Sequence, residues 1–263
     1  MERIDSGMNT LLLAAMISLT NGFGSVSIDT LGANVMSYVP NGGTDVLFRQ
    51  SAAKDPAAWY NGGVPICWPW FNRQGDPGTV PHGFVRLREW KPVLCKNGEQ
   101  ESKAVLRLEE VGKYRLDYEV VLNESLSLKL VMKNLGNERF VVTTGLHPYF
   151  TASDPDKVKV TTPTGKVIAC HAGIDGGLQF GEGVYLVDDI GLNRRLALKM
   201  FGNNKFIIWN IGAEETLAGL EGDDWKHYVC VEPAVIPRAD GFYLNPGEER
   251  SIGLVCTVSK LGK

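Results

Sequence analysis

The sequence predicts an all-β sandwich of two sheets, and three observations carry that prediction. Short apolar segments alternate with period two, turn signals recur between them, and no stretch of a dozen residues carries a helical stripe. Successive strand side chains point to opposite faces, so this alternation is the pattern of a sheet with one face on a core. At 263 residues the chain lies near the upper size for one hydrophobic core, where all-β sandwiches still form single domains. One domain over 1–263 is therefore expected.

Taken in order, the first strand predicted is Phe23 to Thr30, with Phe23, Ser25 and Ser27 on one side and Gly24, Val26 and Ile28 on the other. Val35 to Val39 and Val46 to Phe48 follow, separated by the turn Pro40-Asn41-Gly42-Gly43. Next come Trp90 to Lys96, Lys103 to Glu109, Tyr114 to Leu122, Leu126 to Lys133 and Arg139 to Gly145. Lys96-Asn97-Gly98, Asn123-Glu124-Ser125 and Asn134-Leu135-Gly136-Asn137 supply turns, which points to an antiparallel meander rather than βαβ units. Lys157 to Thr162, Arg195 to Met200, Lys205 to Trp209, Tyr228 to Val231 and Ile252 to Val258 complete the set.

Composition narrows the function classes. A hydrophobic fraction of 44% with 22% charged residues is that of an ordinary globular protein. Net charge is −3 and no basic stripe is present, which argues against nucleic acid. The five cysteines, Cys67, Cys95, Cys170, Cys230 and Cys256, stand singly with no zinc-binding or disulfide spacing, so a reducing compartment is expected. The apolar run Leu11 to Leu19 is too short to span a bilayer, is flanked by Glu2 and Asp5 against Arg3, and is not followed by a clean cleavage site. It reads as folded structure of a cytoplasmic protein with no membrane partner.

The stretch Asn61 to Phe71 packs two glycines, two prolines and three aromatics into eleven residues, which suits neither a helix nor a long paired strand. It reads as a shaped loop, either packing beneath a turn or forming the wall of a concave site edged by His82 and Arg86. Two other places join titratable groups to unusual backbone. His147 is held extended by Pro148 at a strand end, and Asp223-Asp224-Trp225 leads into Tyr228-Val229-Cys230-Val231-Glu232-Pro233. Glu232 reads as the end of that strand, on the face of Tyr228 and Cys230, either solvated or desolvated enough to serve as a base. A His and a Glu on separate strands beside an aromatic loop make a candidate acid and base pair around a small polar ligand.

The blocks Gly62 to Phe71, Pro81 to Arg86, His147 to Phe150, Trp209-Asn210 and Cys230 to Pro233 occur in the order of the hexose-6-phosphate mutarotases (glucose-6-phosphate 1-epimerases), which the chain resembles. These belong to the galactose-mutarotase-like, aldose 1-epimerase superfamily. The resemblance implies a β-supersandwich of two large, mostly antiparallel sheets, no metal or organic cofactor, and interconversion of the α and β anomers of a hexose 6-phosphate. It further implies that His147 is the general acid, Glu232 the general base and Arg86 a ligand-binding arginine. Relatives carry an arginine against the phosphate immediately before the Gly-Gly pair; this chain has Asn61, which leaves Arg86, assisted by Arg73, to supply the charge, with Arg88 as a rival. Pro81 likewise stands where relatives often carry Gln or Ala before the histidine. The family pattern of an acidic residue ahead of a Val-x-Tyr strand points to Glu182 before Val184-Tyr185, and with His82 and Asn61 of the aromatic-loop region and Trp225 the candidate substrate-binding set is complete.

The chemistry suits those residue types. Mutarotation opens a hemiacetal: one group takes the proton of the C1 hydroxyl, another protonates the ring oxygen, and the free aldehyde rotates and recloses. Glu232 as carboxylate and His147 as imidazolium fit, with Cys67 and Cys230 as small buried hydrophobes rather than nucleophiles. The expected partner is a small-molecule sugar or sugar phosphate, and the expected assembly a monomer or weak homo-oligomer. Two other readings stay open: an aldose 1-epimerase of unphosphorylated sugars, and a non-catalytic carbohydrate-binding module.

Overall fold

A computed structural model of the chain describes residues 15–52, 60–73, 80–178, 180–236 and 243–262. Three strands open it, β1 (Met16–Asn21), β2 (Gly24–Asp29) and β3 (Asn34–Pro40), and β4 (Ile66–Cys67) lies in the aromatic loop. β5 (Lys91–Lys96), β6 (Ser102–Glu110), β7 (Tyr114–Leu122) and β8 (Leu126–Asn134) form the expected meander. Four short strands follow: β9 (Phe140–Val141), β10 (Thr144–Leu146), β11 (Tyr149–Thr151) and β12 (Val158–Thr161). Next are β13 (Val167–Ala169), β14 (Asp175–Leu178), β15 (Gly183–Asp189), β16 (Arg194–Phe201) and β17 (Lys205–Trp209). β18 (Tyr228–Val235), β19 (Tyr243–Leu244) and β20 (Glu249–Lys260) end the series.

The strands build two large antiparallel sheets. The first has nine strands in the order β13-β12-β15-β16-β20-β8-β7-β6-β5. The second has six, in the order β14-β17-β18-β10-β4, with β11 also on β18. A three-stranded sheet β1-β2-β3 and the pair β19-β9 flank them. One core joins the large sheets: Leu106, Leu116, Tyr118, Val120, Leu128 and Leu130 from the meander meet Val229, Val231 and Val235 of β18. The outer face of the nine-stranded sheet is charged, with Arg107 bonded to Asp117 and Lys103 to Glu119 across neighbouring strands.

Several expected strands differ: Val46 to Phe48 forms only an isolated bridge, Leu47 with Phe150, and the strand expected over Ile252 to Val258 runs from Glu249 to Lys260. Arg139 to Gly145 is not one strand: β9 pairs with β19, and the chain then crosses to the six-stranded sheet as β10. The crossing is held by Thr143, whose N–H donates to the Pro69 carbonyl (3.0 Å) and whose hydroxyl accepts from the Phe71 N–H (2.8 Å). β18 does not end at Glu232 but runs on through Pro233 to Val235, buried along its whole length, so Glu232 lies inside a strand. Of the apolar run Leu11 to Leu19, residues 11–14 lie outside the described residues and Met16 begins β1. Among the described residues no helix is long and apolar enough to cross a membrane.

Candidate active site

The centre of the site is set by strand register. Gly145 pairs with Ala234 and Tyr149 with Cys230, so pairing against β18 runs in register across Leu146–Pro148 and places His147 opposite Glu232. The His147 N–H points the other way, to the Pro65 carbonyl (2.9 Å). His147 and Glu232 are therefore a non-hydrogen-bonded cross-strand pair, the kind whose side chains stand closest. Pro148 falls where the next N–H is owed to β18, and having none it splits the strand into β10 and β11. The His147 Nε2 lies 3.5 Å from the Glu232 Oε1, and both side chains are almost wholly buried. They stand side by side on one wall rather than on opposite sides of a ligand.

Aromatic rings fix the imidazole. Tyr149 stacks on His147 with ring centroids 4.8 Å apart, and Trp209 meets it edge-on at 5.8 Å. His82 approaches from a third side, at 5.5 Å. The Asn72 N–H donates to the His82 Nδ1 (3.2 Å), which leaves the proton of the neutral ring on Nε2. Burial, and then the Arg86 charge, lower the His82 pKa to about 4, so at neutral pH it is a neutral donor. His82 itself has φ 62°, and Gly83 follows at φ 73°, where an added Cβ would lie 1.9 Å from the Trp68 carbonyl oxygen. Only glycine fits that turn, and the turn aims His82 inward.

These groups line a cavity of about 380 Å³ together with Asn61, Phe71, Asn72, Arg86, Asp175 and Ile207. That volume is in the range of small-molecule sites, roughly 300–1,000 Å³. Arg86 sits in a 3-10 turn, Val85–Leu87. Asn61 is committed to the scaffold: its Nδ2 donates to the Ala218 carbonyl (2.7 Å), and its Oδ1 accepts from the Tyr149 hydroxyl (3.3 Å).

Burial dominates the electrostatics of the pair. It raises the Glu232 pKa well above its ordinary value, with help from the Asp175 charge, and it lowers that of His147, with help from His82. In water a proton prefers imidazole over carboxylate by the gap between 6.5 and 4.5. Burial narrows or reverses that preference. Carboxylate plus imidazolium and carboxylic acid plus imidazole hold the same number of protons, and burial shifts the balance between them towards the neutral pair. Burial thus works against the expected ionised pair and in favour of its neutral counterpart.

Of the residues expected from sequence, the cavity brings together His147, Glu232, His82, Arg86 and Asn61. Three others stand elsewhere. Arg73 is exposed on the loop beyond the aromatic block. Glu182 immediately precedes β15 of the other sheet, where its Oε1 accepts from the Gly202 N–H (2.7 Å). Trp225 packs outside the lining, beneath Lys226. Asp175 was not foreseen: it lies in Ile174-Asp175-Gly176-Gly177, a stretch that reads as a turn, and reaches the cavity because β14 pairs with β17, Asp175 opposite Trp209. The fold also gathers His147, Cys230 and Glu232, whose potential ligand atoms all lie within 4.8 Å of one another, a grouping that no sequence spacing displays.

Comparisons with known proteins give the family and the fold. Residues 15–172 match the family model described as aldose 1-epimerase, a span that includes His147 and stops short of Glu232. A protein of Escherichia coli K12 provisionally named glucose-6-phosphate 1-epimerase is 28% identical over 229 residues, 77% of each chain. A plant protein of the same provisional name, from Cenchrus ciliaris, is 26% identical over 83% of this chain and 76% of its own length. The crystal structure of a provisionally named mutarotase from Salmonella typhimurium superposes with TM-score 0.83 at 21% identity, covering 93% of this chain and 90% of that one, a likeness of fold. With the family model matched over more than half its length, the chain belongs to the aldose 1-epimerase family.

Proposed function

We propose that this protein interconverts the α and β anomers of a hexose 6-phosphate by general acid and base catalysis, with His147 and Glu232 carrying the two protons. The observation that supports it most is the buried cross-strand pair, 3.5 Å apart, at the wall of a sugar-sized cavity. The C1 hydroxyl oxygen and the ring oxygen of a pyranose are bonded to the same carbon, so two neighbouring side chains reach both. Glu232 takes the hydroxyl proton while His147 protonates the ring oxygen, and the C1–O5 bond opens. The open-chain aldehyde then faces a neutral acid and a neutral imidazole. After rotation about C1–C2, imidazole takes the O5 proton, the carboxylic acid returns one to O1, and the other anomer leaves. Each turnover passes between these two proton arrangements, and burial favours the neutral one that faces the open-chain aldehyde.

His82 as a neutral donor and Asp175 as an acceptor suit sugar hydroxyls, and the Trp209 ring offers an apolar face to the sugar carbons. Arg86, in the lining, is the group for a phosphate, and the curated relatives carry a glucose-6-phosphate name. One observation favours a second reading, an unphosphorylated aldose: the Asn61 amide is spent on Ala218 and Tyr149, and among the described residues no second guanidinium lines the cavity. Anomer exchange followed by NMR on chelator-treated protein, with glucose 6-phosphate and free galactose side by side, decides between them. Faster exchange of the phosphorylated sugar is expected. Equal rates on both assign the protein to free aldoses, and no acceleration of either ends the proposal.

A further inference from the structure

We propose that the protein binds one thiophilic divalent cation, of the zinc(II) and cadmium(II) class, on His147, Cys230 and Glu232, and that the bound ion blocks the sugar site. An imidazole nitrogen, a thiol sulfur and a carboxylate oxygen, all on buried residues, lie within 4.8 Å of one another. A zinc ion with Zn–N about 2.0–2.1 Å and Zn–S about 2.3 Å holds such atoms roughly 3.5 Å apart, so small side-chain rotations close the set. The strands fix the arrangement. Cys230 and Glu232 share one face of β18, and His147 lies across from Glu232 in register.

Two further features point to a ligand. The Glu232 Oε2 is buried and, among the described residues, has no hydrogen-bond partner, so it holds uncommitted lone pairs beside the other two donors. One donor each of nitrogen, sulfur and oxygen is a borderline-soft set that selects zinc-like ions over magnesium or calcium, which take oxygen ligands. Three protein ligands leave a fourth position, and the cavity lined by His147 and Glu232 gives the ion its path of entry. On binding, the thiol proton and any proton shared by the pair pass to water. Cys230 is fully buried and forms no part of the cavity lining, so its removal spares the acid and base.

Binding of the ion stands on geometry alone; its inhibitory effect rests on the acid and base reading above. The test titrates cadmium(II) into protein carrying Cys95→Ser, which removes the exposed thiol. A thiolate-to-cadmium absorption band saturating at one equivalent is expected. It should vanish in Cys230→Ser and in Cys230→Ala, persist in Cys67→Ser, and zinc affinity should fall about 10–100-fold or more with loss of Cys230. A zinc-edge anomalous map of a soaked crystal of the unmutated chain should place one peak among the three residues, a readout that needs no variant to fold. Absence of both band and peak overturns the site, as does a band unchanged without Cys230. In the activity arm, Cys230→Ala should turn over at the parental rate and lose zinc inhibition by a similar factor. If no sugar is epimerised, the proposed function fails and absorption and diffraction still decide the metal site. If sugar is epimerised and zinc acts equally on both proteins, the inhibitory site fails while the function stands.

Discussion

The two large sheets share a core and differ in what their strands are for. In the nine-stranded sheet β6, β7 and β8 are each nine residues long, and β7 alternates buried and half-buried positions along most of its length. In the six-stranded sheet β4 has two residues, β10 and β11 three each, and β18 is buried on both faces. One face of β18, Val229, Val231 and Val235, belongs to the common core, while the other carries Glu232 to the cavity and packs Tyr228 and Cys230 against Tyr149, outside the lining. Regular strands hold the molecule together. Interrupted ones, broken at Pro148, expose side chains to a ligand without losing register. The site is thus built by placing donor-less prolines and aromatic rings in a sheet that a separate, regular sheet supports.

If the two sheets divide their tasks, activity and stability separate on mutation. His147→Ala or Glu232→Gln should each lower the anomer exchange rate by about 10²–10⁴ with the far-UV spectrum and cooperative melt retained. Rates near the parental value would remove the pair from catalysis. In the other sheet, Leu128→Ala empties a fully buried site and should cost about 2–5 kcal/mol in denaturant unfolding, with turnover in the folded protein unchanged. A loss of turnover equal to that of the pair variants would mean that the two sheets do not divide their tasks.

A smaller effect sharpens the ligand side. Arg86→Ala should weaken a phosphorylated sugar by about 1.5–3 kcal/mol more than the free sugar, read as the ratio of their kcat/KM values. Equal losses point to the unphosphorylated substrate. Arg73→Ala and Arg88→Ala, outside the cavity lining, should change neither by more than about twofold, the ordinary consequence of altering a distant surface charge.

The pH dependence of stability tests His82. Its pKa is lowered from 6.5 to about 4 in the folded chain, so between those values the unfolded chain binds more protons. Its neutral burial therefore contributes fully above pH 6.5, and that contribution is lost as pH falls towards 4. His82→Asn, which tolerates the positive φ, should flatten the stability profile across this window relative to the parent protein. An unchanged slope would mean that His82 does not titrate as its burial implies.

Much of this was legible in the chain because the regular sheet writes its period into the sequence. Tyr114 to Leu122 and Lys205 to Trp209 were read at the limits the structure shows, and the other meander strands within about one residue. The site sheet was harder to read. Its two-residue and three-residue strands carry too few positions for a period, and burial on both faces of β18 erases alternation, so Glu232 reads as a strand end. The short-range rule that Pro148 ends a strand was correct locally and silent about register, which continues beyond it. Long-range pairing decided which polar residues meet. Asp175 enters the cavity by pairing with β17, Glu182 is held away from it by the Gly202 N–H, and neither outcome is visible in the residues beside them.

In the proposed reaction His147 and Glu232 act as one proton-transferring unit. The measurement that tests it most directly is the anomer exchange rate of the double variant His147→Ala with Glu232→Gln, compared with the two single variants by exchange NMR on the same sugar. Groups that act together are non-additive on removal, so the double variant should be no slower than the slower single variant. Losses that multiply would show two independent contributions and contradict the shared-proton account.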